Sequence, residues 1–182
     1  MFDGRHQRIL DTLWPPSAPL WHKVCAVLDG ARDPRIFGAV ETCRLDKCCL
    51  YAGQIPWALQ RVAPYLVVLE LEDRFTRFLI EEGWGNSWGI FLRTEAGMLQ
   101  VRRHLRTLLR VKDEAGRKFL FRWYDPRVLR VYLPTCLPGE LESFFGPVES
   151  FALEGEDAGT LLDYGFAKKE LTTSIRIVQS AV

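Results

Sequence analysis

Four apolar runs, each too short to be a core helix, recur through the first half of the chain. They are WHKVCAVL at 21–28, KCCLYA at 47–52, YLVVLEL at 65–71 and WGIFLR at 88–93. Short runs of β-branched and aromatic residues, bounded by Pro, Gly or charged positions, read as strands. Helix signals lie between them. Pro34 opens one helix, where its missing N–H costs nothing, with Ile36, Phe37 and Val40 as its apolar face. Pro56 opens a second, carrying Trp57, Leu59 and Val62. Asp73 is placed to N-cap a third, which carries Phe75, Phe78 and Leu79. Strands alternating with short helices predict an α/β or α+β layer fold. The expectation is a mixed sheet of about five strands, plus a small C-terminal lobe.

The second half is more varied. Thr94, with Glu95 following, is expected to cap an amphipathic helix. Met98, Val101, Leu105 and Leu108 lie on one stripe of it, and Arg103, Arg106 and Arg110 on another. A turn at 113–116 leads into a strand over 118–124, which Pro126 interrupts. Residues 128–133 fit a helix or a strand. Pro138, Gly139 and Glu140 start a helix that runs through Phe144 and Phe145 and ends at Gly146-Pro147. Residues 148–153 and 165–168 read as short strands. This divides the chain into an N-terminal extension at 1–20, an α/β lobe at 21–135 and a small C-terminal lobe at 136–182.

The net charge of +1 gives no global signature for nucleic acid or membrane. Its distribution is uneven. Residues 93–130 hold eleven Lys/Arg against four Asp/Glu, while the rest holds thirteen against nineteen. That basic block is either a solvated face or a docking face. Interleaved aromatics at Phe119, Phe121, Trp123 and Tyr124 allow a nucleic-acid-binding reading. A near-neutral chain argues against it, because backbone binding needs a strong positive footprint. No apolar stretch reaches the ~18 residues of a membrane span, and the first residues carry no signal-peptide pattern. The five cysteines, Cys25, Cys43, Cys48, Cys49 and Cys136, are odd in number and lack zinc-ligand spacing. Reduced thiols in a cytoplasmic protein are the expectation, with no metal and no cofactor.

One segment matches a catalytic motif. Gly85-Asn86-Ser87-Trp88-Gly89 has the G-x-S-x-G spacing of a nucleophile elbow. The order of elements is reversed, however: a helix runs in and a strand runs out. The only later histidine, His104, lies inside an amphipathic helix. A small serine hydrolase built on Ser87 is therefore the weaker alternative, and a glycine-rich loop the stronger.

Seven segments in order carry a resemblance. They are residues 27–31 (VLDGA), 50–53 (LYAG), 63–67 (APYLV), 88–91 (WGIF), 104–106 (HLR), 121–128 (FRWYDPRV) and 144–148 (FFGPV). Together they resemble the effector-adaptor chaperones of type VI secretion. The resemblance spans roughly residues 22–150, and its most specific element is Tyr124-Asp125-Pro126-Arg127. It implies a cytoplasmic, non-enzymatic protein. Such a protein binds a cognate secreted effector, often near the effector's N-terminal region, and assists its loading onto the spike protein. Family members often carry a longer, variable C-terminal part. On this chain the family motifs place Asp29, Gly30, Tyr51, Pro64, Arg122, Tyr124, Asp125, Pro126, Arg127, Gly146 and Pro147 in structural roles. Pro126 holds Asp125 extended, where its carboxylate can accept from Arg122 or Arg127. Trp, Tyr and Arg tend to anchor interfaces. The partner surface is accordingly expected among Trp84, Trp88, Arg103, Arg106, Arg110, Phe144 and Phe145, with Trp84 the most exposed. Neither nucleic acid nor stable membrane insertion is expected.

Overall fold

All four apolar runs enter one sheet. The computed structural model describes residues 4–17, 19, 21–112 and 115–179. Its strands are β1 (Lys23–Asp29), β2 (Lys47–Cys49), β3 (Pro64–Leu69), β4 (Gly89–Thr94), β5 (Arg110–Lys112), β6 (Lys118–Leu120), β7 (Ser150–Glu154), β8 (Thr160–Ala167) and β9 (Glu170–Ile177). Seven pair in the order β2-β3-β1-β4-β7-β8-β9, and β5-β6 form a separate hairpin. The sheet is larger than the five strands expected. It is also not mixed, since every pairing is antiparallel. The segment read as a C-terminal lobe supplies β7, β8 and β9 to this same sheet.

Among the described residues there are seven α-helices: α1 (Gly4–Leu13), α2 (Pro34–Thr42), α3 (Trp57–Gln60), α4 (Arg74–Phe78), α5 (Met98–Leu108), α6 (Pro126–Tyr132) and α7 (Pro138–Phe145). Side chains alternate across a strand, so β1 serves both faces. Val24, Ala26 and Leu28 join one core with Ile9, Leu13, Ile36, Val40 and Phe75 from α1, α2 and α4. Cys25 and Val27 join the other, with Val101, Leu105, Leu129, Leu141, Phe144 and Phe145 from α5, α6 and α7. Each fully buried Leu or Ile contributes ~1.5–3 kcal/mol, so helices bearing several are pinned by them. α3 buries none of its residues, and Trp57 stays exposed while resting edge-on against Phe37.

Local chemistry sets most helix starts. Asp33 and Asp73 accept the Arg35 and Phe75 N–H groups at 2.9 and 2.7 Å, capping α2 and α4. Pro34, Pro126 and Pro138 occupy first-turn positions. Residues 128–133, which fit either state, are mostly helical because Asp125 and Pro126 start α6. Thr94 does not cap α5. It ends β4, and its hydroxyl donates to the Pro147 carbonyl at 2.6 Å while accepting from Ala96 N–H. The expected strand at 118–124 is only β6, because Trp123 and Tyr124 turn inward to become fully buried. Of the expected turn at 113–116, residues 113 and 114 lie outside the described residues.

Arg93 ties the ends of the chain together. Its guanidinium donates to the Thr12 carbonyl at 3.0 Å, Ser150 Oγ at 2.6 Å and Asp163 at 2.7 Å. Among the described residues no helix is long and apolar enough to cross a membrane.

Candidate functional site

One end of the sheet gathers most of the motif residues. β1 finishes there in Asp29, a carboxylate only 1% exposed. Asp29 accepts from the Ala31 N–H at 3.1 Å and pairs with Arg122, which comes from far along the chain. Gly30 follows because nothing larger fits. Its N–H donates to the Ala63 carbonyl, and a Cβ at this position would lie 2.7 Å from that oxygen and 2.9 Å from the Arg61 oxygen. Pro64, the first residue of β3, stands opposite Asp29 in the ladder.

The segment 122–127 folds over this end. Tyr124 is buried and its phenol hydrogen-bonds that of Tyr51. Burial first, then the negative charge of Asp29, pushes the Tyr124 hydroxyl well above its ordinary range. Asp125 caps α6 through the Arg127 N–H at 3.0 Å and takes a two-pronged contact from the Arg127 guanidinium at 3.0 and 2.6 Å. Burial alone would raise the Asp125 carboxyl. The Arg127 hydrogen bonds and charge outweigh it and hold the group below its usual value. The sequence left Arg122 and Arg127 as alternative partners for Asp125. The structure separates them: Arg127 takes Asp125 and Arg122 takes Asp29. Each guanidinium keeps nearly half of its side-chain surface exposed. The corner is thus two buried carboxylates roofed by two half-exposed arginines.

A third buried carboxylate, Glu154 at the end of β7, was not singled out from the sequence. It accepts from Gly85 N–H at 2.6 Å, Ser87 N–H at 3.0 Å and Ser87 Oγ at 2.8 Å. Gly85 and Ser87 both adopt positive φ, which wraps their N–H groups around the carboxylate as an anion-binding nest. Ser87 therefore has a carboxylate partner, while His104 Nε2 meets the Phe144 carbonyl at 2.8 Å. Ser87 and His104 are not brought together. A short π-helical turn at Leu79–Gly83 leads into this loop.

Several expected interface residues are core residues. Trp84, expected to be exposed, is buried, and its Nε1 donates to the Ala158 carbonyl at 2.8 Å. Trp88 is buried beneath Arg35. Phe144 and Phe145 pack against Phe151 in the α7-side core. The arginine stripe divides as well. Arg103 and Arg110 are exposed, and Arg110 lies on β5, beyond the end of α5. Arg106 reaches across to the carbonyls of Cys49, Leu50 and Tyr51 at 3.1, 3.0 and 2.6 Å. It is a clamp on the chain leaving β2. At the helix end, Gly146 turns with positive φ directly over the His104 ring, and Pro147 supplies the carbonyl that Thr94 uses.

The exposed apolar surface lies elsewhere. Leu59 and Leu120 flank a groove of about 460 Å³ floored by Leu50, Ile55 and Leu109, with Arg110 at its margin. Trp57, Val62 and Phe119 add exposed apolar area on α3, just after it, and on the hairpin. Lys112, Lys118 and Arg103 are exposed in the same region of the chain.

At the opposite end of the sheet, His22, Glu95 and Glu149 bring donor atoms within 4.8 Å of one another, the one such trio among the described residues. Each trio member already has a partner: His22 pairs with Glu149, and Glu95 accepts from Trp21 Nε1. The five cysteines are all free thiols. Cys25 is buried, and that burial pushes its thiol up to about 12, which favours the protonated form.

Residues 24–143 match the family described as a domain of unknown function, DUF4123. The chain belongs to the DUF4123 family. The match takes in the Asp29–Arg122 corner, the groove and six of the seven ordered segments, leaving 144–148 outside. The DUF4123 match ends inside α7, before the strand that contributes Glu154. No curated protein and no solved structure is detectably similar to the chain.

Proposed function

We propose that this DUF4123 protein is a cytoplasmic adaptor chaperone. It binds a cognate type VI secretion effector and assists its loading onto the spike protein, without catalysis. The observation that carries this reading is the family membership, together with the ordered segments that resemble the adaptor chaperones. The docking face we assign is the groove between α3 and the β5–β6 hairpin. An apolar floor with an exposed basic margin suits an effector segment with an apolar stripe and acidic flanks. This replaces the buried tryptophans and phenylalanines expected from sequence, which cannot touch a partner without unfolding. The corner of Asp29, Arg122, Asp125 and Arg127 holds the 121–132 segment in place, and that segment carries the hairpin's return.

The test has two stages. The tagged chain is purified from its native bacterium and co-purifying proteins are identified by mass spectrometry. Its gene is then deleted and the culture supernatant examined. The expected result is a stoichiometric toxin-bearing partner whose secretion is lost on deletion while the tail itself is still assembled. Secretion of that partner at wild-type levels without the adaptor would overturn the reading.

A further inference from the structure

The two edges of the main sheet are treated differently. β2 closes one side after three residues, and its surroundings are occupied. Lys47 Nζ donates to the Glu41 and Cys43 carbonyls, and Arg106 takes those of Cys49, Leu50 and Tyr51. β9 closes the other side with eight residues, seven of them exposed. No strand pairs beyond it among the described residues. It contains no proline, and its charges, Glu170 and Arg176, stand near its two ends with an uncharged run between them. A long edge of this kind offers a row of open N–H and C=O groups to another strand, and proteins usually blunt such edges. Ile175 is 67% exposed there.

The sequence of β9 is complementary to itself. Laid antiparallel on a second copy about a two-fold axis through Thr173, Leu171 falls opposite Ile175 and Glu170 opposite Arg176. The symmetry repeats each contact. Moving the axis to Thr172 sets Lys168 against Arg176 and Lys169 against Ile175. Moving it to Ser174 sets Glu170 against Val178 and Arg176 against Thr172. Only the Thr173 axis pairs both the charges and the apolar residues. It also keeps residues 171, 173 and 175 of the two copies on one face, the side where Leu171 packs with the α7-side core. Directly opposed residues of antiparallel strands are the unit of sheet stabilisation.

We propose that β9 is a homodimer edge, joining two copies into one continuous antiparallel sheet across Thr173. This does not depend on the adaptor reading, and the groove beside α3 plays no part in it. The contact is narrow, so the dimer forms reversibly and with concentration.

The test uses the full chain in sedimentation equilibrium over a wide concentration range, with circular dichroism to confirm folding. Wild type should dimerise. Arg176→Glu sets like charges together twice and should raise the dissociation constant on the order of tenfold or more. Glu170→Arg should do the same, and the double swap E170R/R176E should restore dimerisation. A wild type that is monomeric at every concentration overturns the proposal. So does a folded Arg176→Glu that dimerises normally, or a folded double swap that stays monomeric.

Discussion

The corner of Asp29 and the groove beside α3 use similar residue types in opposite ways. In the corner, Asp29, Asp125 and Tyr124 are buried and hydrogen-bonded, and the half-exposed Arg122 and Arg127 are held by the two carboxylates. At the groove, Leu59, Leu120 and Arg110 face solvent and have little to do in the isolated chain. Richness in Trp, Phe and Arg does not by itself mark exposed surface: Trp84, Trp88, Phe144 and Phe145 are buried, while Leu59 and Leu120 are exposed. Substitutions should therefore separate the two regions by which property they damage.

The largest effect belongs to the corner. Asp29→Ala removes a buried carboxylate that holds both Ala31 and Arg122, and should destabilise by about 3 kcal/mol in urea titration. Next comes the clamp: Arg106→Ala gives up three charge-assisted bonds to carbonyls and should cost about 2 kcal/mol. A wild-type denaturation midpoint for either variant would break the contrast. A smaller effect is pH-dependent. The Asp125 carboxyl is held below its ordinary value in the fold. Its contribution is therefore complete above the unfolded value of about 4 and is lost as pH falls through the lower folded value. The midpoint gap between wild type and Asp125→Asn should be constant above pH ~5 and close progressively below pH ~4. A gap that widens on acidification would reverse the sign of the argument. The smallest effect on stability belongs to the groove. Leu59→Asp and Leu120→Asp should shift stability by no more than about 0.5 kcal/mol, yet both should lose the co-purifying partner. Retained binding by both variants would remove the groove as the docking face.

What could be read from the sequence follows the range of the interactions. Helix starts at Pro34, Asp73 and Pro138 were legible because a cap or a first-turn proline acts within three residues. The four short apolar runs, bounded by Pro, Gly or charged residues, gave their strands for the same reason. β9 was not legible, because Thr172, Thr173 and Ser174 blur the alternation and its partner β8 buries only one residue in every few. The motif residues of the corner were singled out from the sequence, but the pairing of Asp29 with Arg122 spans 93 positions and is set by topology. Trp84 misled because a glycine-rich loop suggests exposure, whereas this loop folds around Glu154 and carries the indole inward. The same long-range carboxylate holds the G-x-S-x-G loop through Gly85 and Ser87.

Arg93 has a consequence for the chain while it is being made. Its three partners sit at positions 12, 150 and 163, and β4, which carries it, takes its second neighbour only from β7. When the ribosome has released the first hundred residues, β4 can pair with β1 but presents Phe91 and Leu92 along an open edge. About fifty more residues must emerge before that edge is closed. During that interval β4 has an unpaired edge, and transiently unpaired strand edges are prone to aggregate.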